Sequence, residues 1–376
     1  MAGTPKLRVG ILFGGQSAEH EISILSARNV LEALDRSRFE PVLIGISKGG
    51  EWLVQDERAL LASARDPRLV HVQPGLPVPV EALAPEHPGV GSPVGGRLDV
   101  VFPVLHGTLG EDGAMQGVLE VAGVPYVGAG VLGSAIGMDK DVMKRLLRDA
   151  GIPVAEFRTI RRQRFDADPE GVGAELAKLG LPLFTKPANA GSSVGIRKVR
   201  ALADLRPALE HALQFDTKVV VEAAVVGREI ELAVLGGTPP TVSVAGEIVV
   251  DHPDGFYSYD AKYIDEHGAR LELPAALSPQ QLSAARAIAL RAFEVLECEG
   301  MARVDLFLRP DGVLLVNEIN TIPGFTAISM YPKLWALSGV SPPALVTRLI
   351  ELAIERASRR SAIRRSLEHR PATPQP

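Results

Sequence analysis

A β-hairpin predicted near the C-terminus constrains the fold of this chain more than any other segment. From residue 301 to residue 320 apolar and polar residues alternate, and Asp311-Gly312 supplies a turn between the two strands. The return strand carries Glu318 and Asn320 two residues apart, hence on one face. A two-residue loop places Asp305 opposite Glu318, whereas a register two residues different makes them diagonal neighbours on the same face.

Carboxylates that face each other across two strands repel, so a fold that pairs Asp305 with Glu318 favours a bound cation. Two carboxylates and the amide oxygen of Asn320 are hard ligands, which suit Mg²⁺ carried in with nucleotide phosphates. An exposed sheet face with solvated charges explains the hairpin equally well. The choice between these interpretations therefore depends on the rest of the chain.

Composition excludes several classes of protein. With 376 residues the chain is long enough for two or three domains, and its 46% hydrophobic content and formal charge of -5 are typical of a globular protein that does not bind nucleic acid. The single cysteine, Cys298, excludes a disulfide framework and predicts a buried packing role in a reducing cytosol.

The sequence also predicts no membrane segment. Only a short apolar run follows Lys6 and Arg8, so no signal peptide is predicted. The apolar stretch 117–138 is interrupted by Glu120 and Pro125, and we expect buried strand and loop there. A cytoplasmic location follows as an expectation.

The N-terminal third has the pattern of an α/β domain. The strand Leu7 to Phe13 ends in Gly14-Gly15, and Ser17 is a candidate cap for the helix that follows. A second predicted strand, 99–105, leads into His106-Gly107. The segment 66–96 is rich in proline and glycine and is predicted to be surface loop.

The residues 128–133 match the GxGxxG pattern of dinucleotide-binding folds, with Asp149 at a plausible distance for a ribose contact. That fingerprint requires a helix that opens at the third glycine, whereas the helix here is predicted to begin at Asp139. A nicotinamide-dependent dehydrogenase is therefore the weakest functional alternative. A dehydrogenase would leave the polar face of the hairpin, and the lysines Lys140 and Lys186, without a role.

Several further segments contain groups that suit phosphates. Lys140 lies in the first turn of a predicted helix, where a cation is disfavoured unless an anion is near. Lys186 ends a predicted strand and is followed by the glycine- and serine-rich loop 191–195, which can fold over phosphates. The aromatic segment 255–263 is predicted to be a mobile lid.

Taken in order, these motifs resemble the D-alanine–D-alanine ligases of the ATP-grasp superfamily, over nearly all of residues 7–355. The motifs that carry the resemblance are Gly14-Gly15-Gln-Ser-Ala-Glu19, His106-Gly107, Met138-Asp-Lys140, Lys186-Pro, Gly191-Ser-Ser-Val-Gly195, Phe256-Tyr-Ser-Tyr-Asp-Ala-Lys262-Tyr263, Arg303-Val-Asp305, Asn317-Glu318-Ile-Asn320-Thr and Pro323-Gly324.

The resemblance implies an α/β chain with the three-domain ATP-grasp fold, beginning with a parallel-sheet domain. The implied boundaries are an N-terminal domain at 1–138 that binds the first substrate, a central subdomain at 139–222, a C-terminal subdomain at 223–357 with the metal site, and a flexible basic tail at 358–376. The family is usually dimeric, so a homodimer is expected. Two D-alanine molecules and ATP are the expected ligands.

The resemblance also implies a role for each matched residue. Nucleotide-binding roles fall on Lys140, Lys186, Glu222, Ala223, Val225, Glu229, Phe256, Lys262 and Asn317. Asp305, Glu318 and Asn320 match the ligands of Mg²⁺ or Mn²⁺, usually two ions. Ala223 replaces the lysine of some members, with little expected loss because backbone contacts the adenine there.

The amino-acid substrates have implied contacts too. Glu19 matches the residue that fixes the first ammonium, Arg303 and the Gly324 backbone match oxyanion donors, and Ser329 with Met330 match the site of the second carboxylate. Ser192 and Tyr263 link to Glu19 and close the lid, and His106 is expected to orient substrate. Tyr263 favours a dipeptide over D-alanyl-D-lactate, because ligases that make the latter commonly carry histidine in the lid or lack this tyrosine.

Two further alternatives remain at this stage. Another ATP-grasp ligase, with D-lactate or a different amino acid as second substrate, shares the fold, ATP and metal. A non-catalytic nucleotide-binding protein is disfavoured, because such a module does not need Arg303 and Glu19 as well.

Overall fold

The computed structural model describes residues 5–63, 66–83, 94–250 and 269–364. Three separate β-sheets, each flanked by helices, follow one another along the described chain, which confirms the predicted α/β class. The predicted division into domains at 138, 222 and 357 stays a prediction; the boundaries at 138 and 222 lie near changes of sheet, whereas 357 lies inside the last helix.

The first sheet is mostly parallel, as the strand–glycine–helix pattern predicts. Its strand order is β3-β2-β1-β4, with β1 parallel to β2 and β4 and a short antiparallel strand, β3, at one edge. Its elements are β1 (Leu7–Gly14), α1 (His20–Ala33), β2 (Phe39–Ile46), β3 (Trp52–Val54), α2 (Glu57–Ala62), β4 (Val100–Pro103), α3 (Ala114–Val121) and α4 (Val131–Met138).

The second sheet is antiparallel, in the order β5-β8-β6-β7. Apolar residues of α7 and α8 pack on one of its faces and form a separate small core. Its elements are α5 (Lys140–Asp149), β5 (Phe157–Arg161), α6 (Arg162–Ala167), α7 (Pro169–Leu176), β6 (Leu183–Pro187), β7 (Arg197–Val199), α8 (Leu205–Ala212) and β8 (Lys218–Ala223).

The third sheet is also antiparallel, in the order β11-β10-β9-β12-β13. Alanines of α9 and apolar residues of α5 pack against its strands. Its elements are β9 (Arg228–Leu235), β10 (Thr241–Val250), β11 (Ala269–Glu272), α9 (Pro279–Val295), β12 (Met301–Leu308), β13 (Leu314–Asn320), α10 (Met330–Leu337) and α11 (Pro342–Ser361).

The predicted hairpin is present, with Asp305 opposite Glu318 and Arg303 opposite Asn320. The connection differs from the predicted two-residue loop, because β12 ends at Leu308 and β13 begins at Leu314. An irregularity between Asp305 and Leu306 shifts the register by one residue on the partner strand and restores the predicted pairing at the polar face.

Several of the described helices begin at residues whose side chains cap them. The Asp139 carboxylate accepts hydrogen bonds from two backbone N–H groups at the start of α5, and Ser278 forms a capping box with Gln281 at the start of α9. The prediction that Ser17 caps α1 was wrong. Glu19 occupies the cap position, while the Ser17 hydroxyl donates to the His106 carbonyl.

The prediction of buried strand and loop at 117–138 was also wrong, since α3 and α4 occupy most of it. Helix α4 follows Gly130. The argument that no helix begins before Asp139, which spoke against a dinucleotide-binding GxGxxG motif, was therefore wrong. The glycines have structural roles instead. A Cβ at Gly133 would collide with the Glu297 carbonyl, and Gly128 has a φ of 96°, a left-handed backbone conformation that favours glycine.

No single described helix is both long and apolar enough to cross a membrane; α10 and α11 pass that test only as a pair bent by 107°. Helix α11 instead packs its apolar side, including Leu345 and Leu349, into the core that contains β1 and β4. It continues to Ser361, so the predicted tail does not start at 358. The C-terminal helix thereby joins the last part of the chain to the first sheet.

Candidate active site

An open cleft of about 520 Å³ separates the second sheet from the third. One wall comes from β6 and β8 and the other from β9, β10 and the β12–β13 hairpin. Seven residues predicted to bind nucleotide line this cleft: Lys140, Lys186, Glu222, Ala223, Val225, Glu229 and Asn317. Its volume is in the range of cofactor sites.

The cleft has an apolar part and a charged part. Phe184, Ile196, Leu306 and Phe307 provide apolar and aromatic surface, next to the segment 223–226. The charged part contains Lys140, Lys186, Asp305 and Glu318. A nucleotide would match this division, with its aromatic base beside the apolar walls and its phosphates beside the lysines.

A buried charge cluster underlies the cleft. Lys186 Nζ lies 3.0 Å from Glu222 Oε2 and 3.3 Å from Asn317 Oδ1. Lys144, which the sequence analysis did not single out, places its Nζ 3.2 Å from Glu222 Oε1 and donates to the Asn317 carbonyl at 3.3 Å. Burial alone favours the neutral acid, but the two ammonium groups hold the pKa of the Glu222 carboxyl below its usual value.

Lys140 holds the glycine- and serine-rich loop rather than pointing into solvent. Its backbone N–H donates to the Ala188 carbonyl at 2.9 Å, and its Nζ donates to the Ala190 carbonyl at 2.7 Å. Its Nζ is also 3.9 Å from Glu318 Oε2. One lysine therefore connects the loop with the polar face of the hairpin.

The hairpin face contains a tight charge pair. Arg303 donates two hydrogen bonds of 2.7 Å to the two Asp305 oxygens, and its Nε lies 3.0 Å from Glu231 Oε2. The Asn320 amide nitrogen donates to Asp305 Oδ2 at 3.0 Å. The pairing Asp305–Glu318 and the neighbouring Asn320 thus lie on one face, as predicted.

This donor set fits a hard divalent cation in its chemistry. Asp305 and Glu318 supply facing carboxylates, and Asn320 adds an amide oxygen, all preferred by Mg²⁺ and Mn²⁺. No cluster of three or more His, Cys, Asp or Glu side chains suited to a metal occurs in the described parts of the chain. An amide oxygen as third ligand is consistent with that finding.

A second pocket, of about 300 Å³, adjoins the cleft, and Glu318 lines both. This pocket is lined by the predicted catalytic and substrate-binding residues Glu19, His106, Ser192, Arg303, Gly324, Ser329 and Met330, and by the predicted metal ligand Asn320. Residues of all three sheet regions therefore meet here. The structure brings the predicted site residues it describes into two adjoining groups.

Close backbone approach fixes the position of Glu19. The Ser192 hydroxyl donates to Glu19 Oε1. A Cβ at Gly191 would lie 2.5 Å from Glu19 Oε2, and a Cβ at Gly107 would lie 2.7 Å from the same atom. Ser192 has a φ of 46°, a left-handed conformation uncommon for a side-chain-bearing residue. Only glycines on both sides leave room for this carboxylate.

His106 has protein partners for both ring nitrogens, and its predicted contact with substrate stays a prediction. Nδ1 lies 3.0 Å from the Ile322 carbonyl, and Nε2 lies 3.1 Å from Ser26 Oγ. The Phe325 N–H donates to the same Ser26 oxygen at 3.1 Å. Burial lowers the pKa of His106, which favours a neutral ring with Nδ1 as donor. The histidine positions the segment that contains Gly324.

Ser329 stands at the N-cap of α10, but its side chain does not cap the helix. Its oxygen instead accepts from the Thr326 N–H at 3.0 Å and lies 2.8 Å from Thr326 Oγ1. A Cβ at Gly324 would approach Ser329 Oγ to 2.7 Å. The turn 324–329 is therefore held in a compact conformation directly before the N-terminus of α10.

Sequence reasoning missed several charged residues of the site. Glu111 is buried in the second pocket, and burial, followed by the nearby charge of Glu19, raises the pKa of its carboxyl well above the usual value. Glu231 lies two residues from Glu229 on β9, a spacing that predicts the same face of the strand. Lys198 and Lys333 also line the cleft and pocket.

Phe256, Lys262 and Tyr263 lie outside the described residues. Their predicted contacts with nucleotide, and the predicted lid, stay predictions.

Comparison with known proteins agrees with this geometry. The family model described as "D-ala D-ala ligase N-terminus" matches residues 8–129, and the one described as "D-ala D-ala ligase C-terminus" matches residues 146–351. The chain belongs to the D-alanine–D-alanine ligase family.

Curated members of the D-alanine–D-alanine ligase family align with almost the whole chain. D-alanine–D-alanine ligase A of Chromobacterium violaceum is 51% identical over 368 residues, covering 97% of this chain and 100% of the relative. The protein of the same name from Escherichia coli K12 is also 51% identical, over 96% of this chain and 100% of its own.

Solved structures of the D-alanine–D-alanine ligase family share the fold. The enzyme from Coxiella burnetii has a TM-score of 0.81 at 38% identity, covering 95% of this chain and 97% of that one. The VanG D-Ala:D-Ser ligase of Enterococcus faecalis has a TM-score of 0.79 at 35% identity, over 93% and 100%. The predicted ATP-grasp fold is thereby confirmed, and the protein is a ligase.

Proposed function

We propose that this protein joins two D-alanine molecules into D-alanyl-D-alanine with hydrolysis of ATP to ADP and phosphate. The observation that carries the proposal is the junction at Glu318, where the lysine-rich cleft meets the pocket containing Glu19 and Arg303. A phosphoryl donor in the first cavity and a carboxylate in the second would meet at this junction. The dipeptide is a precursor for peptidoglycan synthesis.

In our assignment the base of ATP would lie against Phe184 and Phe307 and its phosphates toward Lys140 and Lys186, all of which line the cleft. Positioning and charge neutralisation are the main contributions to phosphoryl transfer, and both lysines are held by hydrogen bonds before any nucleotide arrives. We assign contacts with the edge of the adenine ring to the backbone of residues 223–225, and a contact with the ribose to Glu229.

Asp305, Glu318 and Asn320 would hold Mg²⁺ or Mn²⁺, in two ions by analogy with the family. The bound metal would neutralise phosphate charge during transfer. Arg303, already paired with Asp305, keeps the remaining carboxylate charge of this face balanced.

The first D-alanine is assigned to the Glu19 side of the second pocket. Its ammonium would pair with the Glu19 carboxylate, which the Ser192 hydroxyl and two glycines hold in place. Its carboxylate would then receive the γ-phosphoryl group of ATP, which converts a poor electrophile into an acyl phosphate.

The second D-alanine is assigned to the N-terminal end of α10, with its carboxylate near Ser329 and the Met330 backbone. Its amine attacks the acyl phosphate, and phosphate leaves from the tetrahedral intermediate. The oxyanion needs preorganised donors, which we assign to Arg303 and the Gly324 N–H. The lid with Tyr263 would exclude water from the acyl phosphate.

Substrate-dependent release of phosphate tests this function. Purified protein is incubated with ATP, Mg²⁺ and one of four substrate sets: D-alanine, L-alanine, D-alanine plus D-lactate, or D-alanine plus D-serine. Phosphate release is measured, and the products are identified by mass spectrometry. We expect phosphate and D-alanyl-D-alanine with D-alanine and none with L-alanine. Phosphate release without that dipeptide would reject the proposed second substrate.

A D-Ala:D-Ser ligase is the second candidate, because one of the similar structures carries that name. The mixed D-alanine and D-serine incubation decides between the two. The homodimer and the cytoplasmic location predicted from the sequence remain proposals, and sedimentation of the purified chain tests the former.

A further inference from the structure

The buried lysine behind the nucleotide cleft has no assigned role. Lys144 is 0% exposed and does not line the cleft, so it has no direct contact with any ligand there. Its ammonium nevertheless lies between Glu222 Oε1, at 3.2 Å, and the Asn317 carbonyl, at 3.3 Å. An isolated ammonium is costly to bury, so its position calls for an explanation.

The neighbouring charges suggest what Lys144 does. Glu222 is 2% exposed and stands between two lysines, with Lys144 at one oxygen and Lys186 at the other. With Lys144 present, two cations share one carboxylate, and the group of three keeps one net positive charge. Without it, Glu222 and Lys186 form a neutral pair, and the cleft loses the net positive charge contributed by this group, although Lys140 and Lys198 still line it.

Geometry adds to this charge effect. Lys186 donates to the Asn317 side chain, and Lys144 donates to the Asn317 backbone, so both lysines hold the same residue of β13. Asn317 directly precedes Glu318, which lines both cavities. Lys144 therefore contacts, from the buried side, two residues whose other sides form the cleft wall.

We propose that Lys144 is a positioning residue that neutralises Glu222 from behind, so that the Lys186 charge remains available to the nucleotide phosphates. The inference rests on the proposed placement of those phosphates at Lys186. It extends that function by assigning the strength of phosphate binding to a residue outside the cleft.

A series of nucleotides separates this role from a purely structural one. Dissociation constants of ATP, ADP, AMP and adenosine are measured by calorimetry on wild type and Lys144→Met, a substitution close in length. We expect ATP and ADP to weaken on the order of 10-fold while adenosine is unchanged. Equal weakening of all four ligands, or no weakening of ATP, would overturn the proposal.

Charge rescue provides the second readout. In Lys144→Met/Glu222→Gln the carboxylate charge is gone, so Lys186 again contributes one net positive charge. We expect ATP affinity to return toward the wild-type value relative to adenosine. A double variant that binds ATP no better than Lys144→Met would contradict the charge mechanism.

Two controls keep the outcomes distinct. Lys186→Met tests the underlying placement: unchanged ATP affinity in that variant rejects the proposed phosphate site itself, whereas a loss there without a loss in Lys144→Met rejects only the role of Lys144. If Lys144→Met does not fold, Glu222→Gln alone decides. Its ATP affinity should rise relative to adenosine, and a fall or no change would overturn the inference.

Discussion

Glycine at position 191 sets the space around the Glu19 carboxylate, since a Cβ there would lie 2.5 Å from Oε2. We expect Gly191→Ala to displace Glu19 and to raise KM for the first D-alanine by roughly 10- to 100-fold. The matched control is Gly173→Ala in α7, where a Cβ meets nothing within 4 Å. It should leave kinetics unchanged and stabilise the helix by up to about 1 kcal/mol. Equal kinetics in both variants would contradict the assignment.

Glu318 offers a test of the cation site. Glu318→Gln preserves shape but removes one of the two facing charges, so ATP turnover should fall by at least about 100-fold with little change in Tm. Binding of Mn²⁺ in the presence of ADP should weaken in parallel. Glu57→Gln, on the distant helix α2, is the control. Wild-type turnover in Glu318→Gln would reject the metal assignment.

His106 makes stability depend on pH. Burial lowers the pKa of His106 below the ordinary value of about 6.5, so between the two values the unfolded chain binds more protons. The free energy of unfolding should therefore fall as pH decreases through about 6.5 and onward to the folded-state pKa. Replacing the ring by His106→Asn should reduce the drop in urea midpoint between about pH 7.5 and pH 5.5. An identical drop would contradict this source.

At the scale of single elements, strand β10 supports the second-substrate pocket from behind. A Cβ at Gly246 would lie 2.8 Å from Met330 Sδ and 2.8 Å from Leu273 Cδ2, both at ends of flexible side chains. We expect Gly246→Ala to push Met330 into the pocket and to raise KM for the second D-alanine roughly 10-fold, with KM for ATP unchanged. Gly117→Ala in α3, which meets nothing within 4 Å, is the control.

The predictability of an element depended on how local its cause was. Alternation alone predicted that Asp305 and Glu318 share one face, but their direct pairing was predicted only for a two-residue loop, which the structure does not have. The irregularity that restores this register beyond a longer loop has no local sequence signal. Helix α4 was missed because Gly133 and Gly137 lower helix propensity. Only contacts distant in sequence explain these glycines, with the Glu297 backbone at Gly133 and with the Thr321 and Ile319 side chains at Gly137.

The site shows the same limit. Individual residues such as Lys186 and Glu222 were found through motifs, but their ion pair depends on the antiparallel register of β6 with β8. Lys144 had no motif of its own, since its contacts arise only when the fold brings α5 next to both β8 and β13. The same holds for Glu111, whose raised pKa comes from burial and from charges distant in sequence.

At the scale of the whole molecule, Arg356 joins the last helix to the segment 126–128, next to the first sheet. The side chain is 5% exposed, donates to the Gly128 and Tyr126 carbonyls, the latter at 2.7 Å, and stacks 4.3 Å from the Tyr126 ring centre. Arg356→Met should lower the free energy of unfolding by about 2–4 kcal/mol, because two buried acceptors lose a charged donor.

Arg360, on the same helix as Arg356, is the control for that experiment. It makes a partly exposed ion pair with Glu120 of α3, at 2.9 Å. Arg360→Ala should cost less than about 1 kcal/mol. Both variants are compared by urea denaturation. Similar losses in the two would mean that the Arg356 contacts add little to the attachment of α11.

Glu318 forms part of the wall of both cavities, so the occupants of the two cavities are thermodynamically linked. Any factor by which bound nucleotide changes the affinity for the first amino acid must equal the factor by which that amino acid changes the affinity for nucleotide. Shared wall residues, which include Glu231 and Ile248 besides Glu318, thus tie the saturation curve of each substrate to the concentration of the other. Commitment to phosphorylation then depends on joint occupancy rather than on either ligand alone.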